Sequence, residues 1–143
     1  MKVIICGAGH VGYNITAYLS REDHDITVID PDPILVSEVN NTLDANGIIG
    51  FASHPNTLKD AGINEADIII AVTDSDEVNM IACQVAHSLF NVPKKIARIR
   101  SQEYLNPKFS SLFSKENLPI DFIISPELEI AKSIQRKLEA PGA

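Results

Sequence analysis

The sequence predicts an α/β architecture, a doubly wound parallel sheet of about six strands with helices on both faces, and three observations carry that expectation. Strand-length apolar runs alternate with stretches whose apolar residues recur at helical spacing. Three glycines stand at G-x-G-x-x-G spacing where the first run, Val3-Ile4-Ile5-Cys6, gives way to the first helical stretch. The run Asp67-Ile68-Ile69-Ile70-Ala71-Val72 is continuously apolar, as a central strand covered on both faces requires.

The first strand ends at Gly7-Ala8-Gly9-His10-Val11-Gly12, and Val11, Ile15 and Leu19 mark the helix that follows. Gly7 allows the sharp turn, Gly9 lets the backbone approach a pyrophosphate, and Gly12 lets the helix pack closely on the strand. The helix N-terminus supplies free N–H groups and the positive end of a dipole, so phosphates are held without a lysine. Asp25–Asp30 reads as the second strand. Pro31-Asp32-Pro33 stops it and starts a helix, with Asp32 as N-cap, Pro33 at the first helical position, and Leu35, Val39 and Leu43 as the buried stripe.

A third strand over Gly47–Phe51 precedes a short helix from Pro55 to near Gly62. After the central run, Asp76 to Phe90 carries Val78, Ile81, Ala82, Val85 and Leu89 at helical spacing. Ile96–Arg100 is the fifth strand, and its alternation puts both arginines on one side. A less regular segment broken by Pro107 leads to a sixth strand, Asp121–Ile124, and Pro126 opens a final helix aligning Ala131, Ile134 and Leu138. There is no internal repeat, low-complexity tract or interdomain linker. Residues 1–143 therefore read as one domain, and the closing Glu139-Ala140-Pro141-Gly142-Ala143 resembles the start of a linker to something longer.

Composition narrows the class. A hydrophobic content of 45% with 22% charged residues is that of an ordinary globular chain. The net charge of −7 argues against a nucleic-acid partner, which needs a clustered basic face. Cys6 and Cys83 lack metal-site spacing and read as small buried hydrophobes of a reducing compartment. No apolar run reaches the ~18 residues of a membrane span, and the first strand starts too early for a signal peptide, so a cytoplasmic location without direct membrane insertion is expected.

The chemistry concentrates where the strands end. Asp30 closes the second strand, where a carboxylate accepts hydrogen bonds from adenosine ribose hydroxyls and repels a 2′-phosphate. Only Pro31 follows it, so the expected ligand is NAD(H) or an adenine nucleotide such as ATP or ADP rather than NADP. Ligands in open α/β sheets bind outside the carboxyl ends of the strands. That nominates Ala52 and Ser53 after the third strand and Thr73 and Asp74 after the fourth, with Thr73 able to bond the phosphate side. Asp74, Ser75 and Asp76 equally suit helix capping.

A guanidinium pair at the end of a buried strand needs an anion, either phosphate or a neighbouring carboxylate, which makes Arg98 and Arg100 candidates. His10, inside the glycine turn, either touches phosphate or is a solvated side chain. His24, His54 and His87 have no ligand spacing, so no metal is expected. Tyr104-Leu-Asn-Pro-Lys108 matches the Y-x-x-x-K of short-chain dehydrogenases, yet Pro107 breaks the helix that pairing requires.

With these residues in place, the sequence resembles the nucleotide-binding N-terminal domain of the Trk potassium-uptake regulators, the module also called the regulator of potassium conductance (RCK) or KTN domain. The likeness covers essentially the whole chain. It rests on Gly7-Ala-Gly-His-Val-Gly12, Val28-Ile-Asp30, Ala71-Val-Thr-Asp-Ser-Asp-Glu-Val-Asn-Met80 and Ile96-Ala-Arg-Ile-Arg100. The resemblance implies that Gly7 to Val11, Asp30, Thr73, Asp74 and Arg98 contact a dinucleotide, and that Arg100 meets a terminal phosphate. It implies NAD(H) or ATP/ADP as ligand, a homo-oligomer (dimer or ring), and docking on a membrane-embedded potassium transporter at the cytoplasmic face. Phe51 departs from the polar residue that relatives often carry there. Such regulators continue into a second small domain.

The expected function is therefore a non-enzymatic regulatory subunit. The cofactor-binding domain of an NAD-dependent oxidoreductase is the alternative, and an NAD-binding module with an unrelated partner is a third. The chain supplies no substrate-binding domain and no general acid or base for the second.

Overall fold

The computed structural model describes residues 1–124 and residue 136, and the helix expected from Pro126 lies outside them. Six strands are formed: β1 (Lys2–Cys6), β2 (Asp25–Asp30), β3 (Asn46–Ile49), β4 (Ile68–Ala71), β5 (Lys94–Arg98) and β6 (Phe122–Ile124). They lie in one sheet in the order β3-β2-β1-β4-β5-β6, with every neighbouring pair parallel. Within residues 1–124 the helices are α1 (His10–Leu19), α2 (Pro33–Thr42), α3 (Pro55–Asp60) and α4 (Asp76–Phe90), with short 3-10 turns at Ile63–Glu65 and Pro107–Phe113.

Strand pleating divides the core into two layers. From β1, Ile4 and Cys6 face the side covered by Leu58 of α3 and by Ala82, Cys83 and Ala86 of α4. Val3 and Ile5 face the other side, against Val11, Ile15 and Leu19 of α1 and Val39 of α2. Ile4, Ile5, Ile68, Ile69 and Ile70 are wholly buried, so the centre of the sheet is aliphatic on both faces. Each contributes about 2–3 kcal/mol by leaving water.

Three expectations about elements are corrected. In α2 the buried positions are Val36 and Val39; Leu35 is half-buried, packing on the edge of the core while also lining the crevice at the strand ends, and Leu43 is the C-cap. In α4 the inward residues are Asn79, Met80, Ala82, Cys83 and Ala86, whereas Ile81 and Leu89 are 48% and 59% exposed and Val78 and Val85 are half-buried. Ala82, Cys83 and Ala86 let the helix approach the sheet closely, with Met80 buried beside them and Val85 packed at the edge of the core, while Ile81 and Leu89 remain outside.

The fifth strand runs from Lys94 to Arg98 rather than from Ile96 to Arg100. The Asp76 carboxylate accepts the N–H groups of Arg100 (3.0 Å) and Ser101 (2.8 Å), which takes that backbone out of the ladder. The alternation expected to align the two arginines therefore stops at Arg98.

Candidate functional site

The carboxyl ends of β1, β2 and β4 enclose a crevice of about 530 Å³. It lies at the switch point, where the chain passes from β1 outward to β2 on one side and β4 on the other. Its floor is the β1–α1 turn. Gly7 adopts φ +110° and its N–H donates to the carbonyl of Ile29 at 2.8 Å; a Cβ there would stand 2.9 Å from the Val72 oxygen. At Gly12 a Cβ would fall 1.8 Å from the Gly7 oxygen, so helix and turn are packed backbone to backbone.

Gly9 differs from both. Its φ of −71° suits any residue, and a Cβ there would meet nothing within 4 Å. The protein's own packing therefore gives no reason for glycine at this position; the space it leaves opens on the crevice. Gly9 is also the N-cap of α1, so no side chain caps that helix, and its first turn carries no acid. In contrast, Asp32 caps α2 through Ile34 N–H (2.9 Å) and Ser75 caps α4 through Val78 N–H (3.2 Å), followed by Asp76 and Glu77. The α1 N-terminus thus presents backbone N–H groups and a positive dipole end to the crevice with no side chain capping them.

Asp30 lines the crevice beside this turn. Its Oδ2 accepts the Ala8 N–H and its Oδ1 the Asp32 N–H, both at 2.8 Å. Each oxygen keeps a second lone pair, so the carboxylate is aimed by the backbone and still able to accept two hydroxyl donors. Arg98 lines the opposite wall. Its side chain is 17% exposed and its guanidinium stands 3.8 Å from the carboxylate of Asp74, which is fully exposed. An exposed partner at that distance holds an arginine weakly.

Of the residues nominated from sequence, Gly7, Gly9, His10, Val11, Asp30, Ala52, Thr73, Asp74 and Arg98 line the crevice together. Ala8 and Gly12 are buried in the turn beneath it. Ser53, one residue past Ala52, is not among the lining residues. Arg100 is exposed beyond the end of β5, and its guanidinium donates to the Asp74 carbonyl rather than reaching the crevice wall. The Thr73 hydroxyl is already engaged, donating to Asn79 Oδ1 at 2.7 Å and accepting the Ser75 N–H at 3.2 Å.

Sequence reasoning assigned no role to Asn79. Its side chain is wholly buried, accepts the Thr73 N–H (2.8 Å), and donates to the carbonyls of Thr73 (3.2 Å) and Arg98 (2.8 Å). It ties the ends of β4 and β5 to α4 and so sets the spacing of two crevice walls. The detectable signal was one amide among the small residues of the inward stripe of α4.

A larger cavity, about 720 Å³, is lined by Ser101 just past β5, by Glu77 of the first turn of α4, and by Tyr104, Lys108 and Phe109. There the Tyr104 hydroxyl donates to Glu77 at 2.8 Å, and this bond, ahead of burial and nearby acids, raises its pKa. A tyrosine serving as a proton donor beside a lysine requires the opposite shift. Tyr104 lies in an irregular turn and Lys108 in the following 3-10 segment, so no helix pairs them. Among the described residues no cluster of His, Cys, Asp or Glu is arranged to hold a metal, and no helix is long and apolar enough to cross a membrane.

The parallel sheet order and the glycine-floored crevice at its switch point define a Rossmann-like domain. The family model described as the TrkA-N domain matches residues 3–126, and the chain belongs to that family. Proteins named Trk system potassium uptake protein TrkA match over the whole chain at 45–51% identity, that of Azorhizobium caulinodans at 51%. The chain spans 31% of the length of these relatives.

Among solved structures, the TrkA-N domain of the inner membrane protein ybaL from Escherichia coli superposes with a TM-score of 0.74 at 18% identity, covering 96% of each chain. The GsuK channel bound to NAD superposes with a TM-score of 0.69 at 15% identity, covering 86% of this chain and 21% of that one. Oxidoreductases also occur among chains of this shape, as expected where likeness at such identity reflects fold alone.

Proposed function

We propose that this chain is the nucleotide-sensing domain of a potassium-uptake regulator. NAD(H), or alternatively ATP or ADP, binds in the crevice with its phosphates on the α1 N-terminus, its ribose hydroxyls on Asp30 and its charge shared with Arg98. The observation that carries this reading is Gly9, a glycine that nothing in the protein's own packing requires, at the uncapped end of a helix facing the crevice. The names of the relatives supply the potassium-uptake context, and a channel that contains a domain of this shape, GsuK, is found bound to NAD, which supports the reading.

On this reading residues 1–143 are the N-terminal domain of a longer regulator. That regulator assembles as a homo-oligomer, a dimer or ring, on a membrane-embedded potassium transporter at the cytoplasmic face. The nucleotide acts by binding the conducting and non-conducting arrangements with different affinity, which is the only way a ligand shifts such an equilibrium. No chemical step is assigned to the chain. Incubated with NADH and a panel of ketones, aldehydes and quinones, the protein should oxidise the cofactor no faster than buffer; turnover abolished by Tyr104→Phe would instead support the oxidoreductase alternative.

Calorimetric titration with NADH, NAD, ATP, ADP and NADPH tests the ligand. NADH should bind more tightly than NADPH, because the 2′-phosphate would face the Asp30 carboxylate. Asp30→Ala should weaken NADH by about 1–3 kcal/mol, the scale of losing charge-assisted hydrogen bonds. Equal affinity for NADH and NADPH removes the role given to Asp30, and no binding of any of the five removes the reading.

A further inference from the structure

We propose that Phe51 is the stacking platform for the nucleobase, and that this end of the crevice recognises the base by its face rather than its edge. The proposal rests on the nucleotide reading above. Phe51 is 59% exposed, adds little to the core, and stands on the crevice wall. Its position is set by sheet register. Asp30 pairs with Ile49, the Gly50 N–H donates to the Asp30 carbonyl at 3.1 Å, and Phe51 follows. A ribose held on the Asp30 carboxylate therefore leaves its base on the side where Phe51 stands.

The backbone beneath the ring is held in place. The His54 N–H donates to the Phe51 carbonyl at 3.0 Å and closes the turn, and the two rings lie 5.2 Å apart at a 37° tilt. A phenyl group with two side-chain torsions and one ring neighbour offers a flat apolar face and has little rotamer freedom to lose on binding. The surrounding wall is Pro31, Leu35 and Ala52, whose side chains carry no polar atom, while Asp32 directs Oδ1 to the α2 backbone as its cap. Stacking energy is tolerant of base identity because every base has a π face. Phe51 thereby sets a specificity in which the ribose is read strictly and the purine loosely.

The test uses ADP and GDP as probes. In wild type the two should bind within about fivefold of each other, and Phe51→Ala should weaken both about tenfold or more, as loss of one base stack does. Phe51→Tyr keeps the aromatic face and should remain within about twofold of wild type. The sequence contains no tryptophan, so Phe51→Trp places a single fluorophore on the wall, and saturating ADP should quench it. A merely structural role for the ring would not produce that quenching. Unchanged ADP affinity in Phe51→Ala, unquenched Phe51→Trp emission on ADP binding, or a purine preference above about a hundredfold overturns the platform alone. Failure of wild type to bind either ADP or NADH overturns the nucleotide reading and the platform together.

Discussion

Gly9 and Gly12 stand three residues apart in one turn and answer to different demands. A Cβ at Gly12 collides with the Gly7 carbonyl oxygen at 1.8 Å, a backbone atom that cannot move without opening the turn. Gly12→Ala should therefore lower stability by about 3 kcal/mol, the upper range of overpacking costs, as read from denaturant midpoints. Gly9→Ala meets open space at an ordinary φ, so stability should stay within about 0.5 kcal/mol of wild type. Its affinity for NADH should still fall about tenfold or more, because the added methyl occupies the approach of the pyrophosphate. An undiminished NADH affinity in Gly9→Ala would remove the main support for a ligand in this crevice. The sequence already assigned Gly12 to close helix packing and Gly9 to a ligand's approach; the tertiary structure adds what each missing side chain would touch, the Gly7 carbonyl oxygen at Gly12 and open space at Gly9.

The ends of β4 and β5 are joined by polar side chains of the helix between them. Asn79 satisfies one N–H and two carbonyls, and Asp76 satisfies two N–H groups where β5 gives out. Asn79→Ala removes the partner of the Thr73 N–H and of the Arg98 carbonyl in a partly buried setting, at about 1–3 kcal/mol for each group orphaned. A loss near 3 kcal/mol in urea unfolding is expected, together with weaker NADH binding because Thr73 and Arg98 no longer hold their spacing. A loss below about 0.5 kcal/mol would mean that water replaces the amide without cost. The same helix shows why element faces were misread. Bulky aliphatics and small residues form two stripes on α4, and hydrophobicity favours the bulky stripe, whereas close approach to the sheet selects Ala82, Cys83 and Ala86.

At the scale of the whole molecule, the two thiols at the sheet–helix interface make stability pH-dependent. Burial, with Cys83 adding, pushes the Cys6 thiol far above its ordinary 9.0. Burial pushes Cys83 up to about 12, with Lys95 partly opposing and Asp121 adding. Above pH 9 the unfolded chain releases protons that the folded chain retains, so this contribution is fully present below pH 9 and is lost as pH rises towards 12. Denaturation midpoints should decline above about pH 9, and the decline should be shallower in the Cys6→Ala, Cys83→Ala double variant. Identical slopes in the two proteins would contradict the burial of both thiols.

The sequence by itself determined the strand–helix alternation, the parallel winding, the glycine turn and the placing of Asp30, because each rests on local spacing or on a chirality that all such chains share. Only the tertiary structure decided that Arg98 joins the crevice and Arg100 does not, that Leu35 faces the crevice while Val36 enters the core, and that Asn79 holds two walls together. Those outcomes depend on where strands stop and on how closely helices approach the sheet, which are set by contacts between residues far apart in the chain.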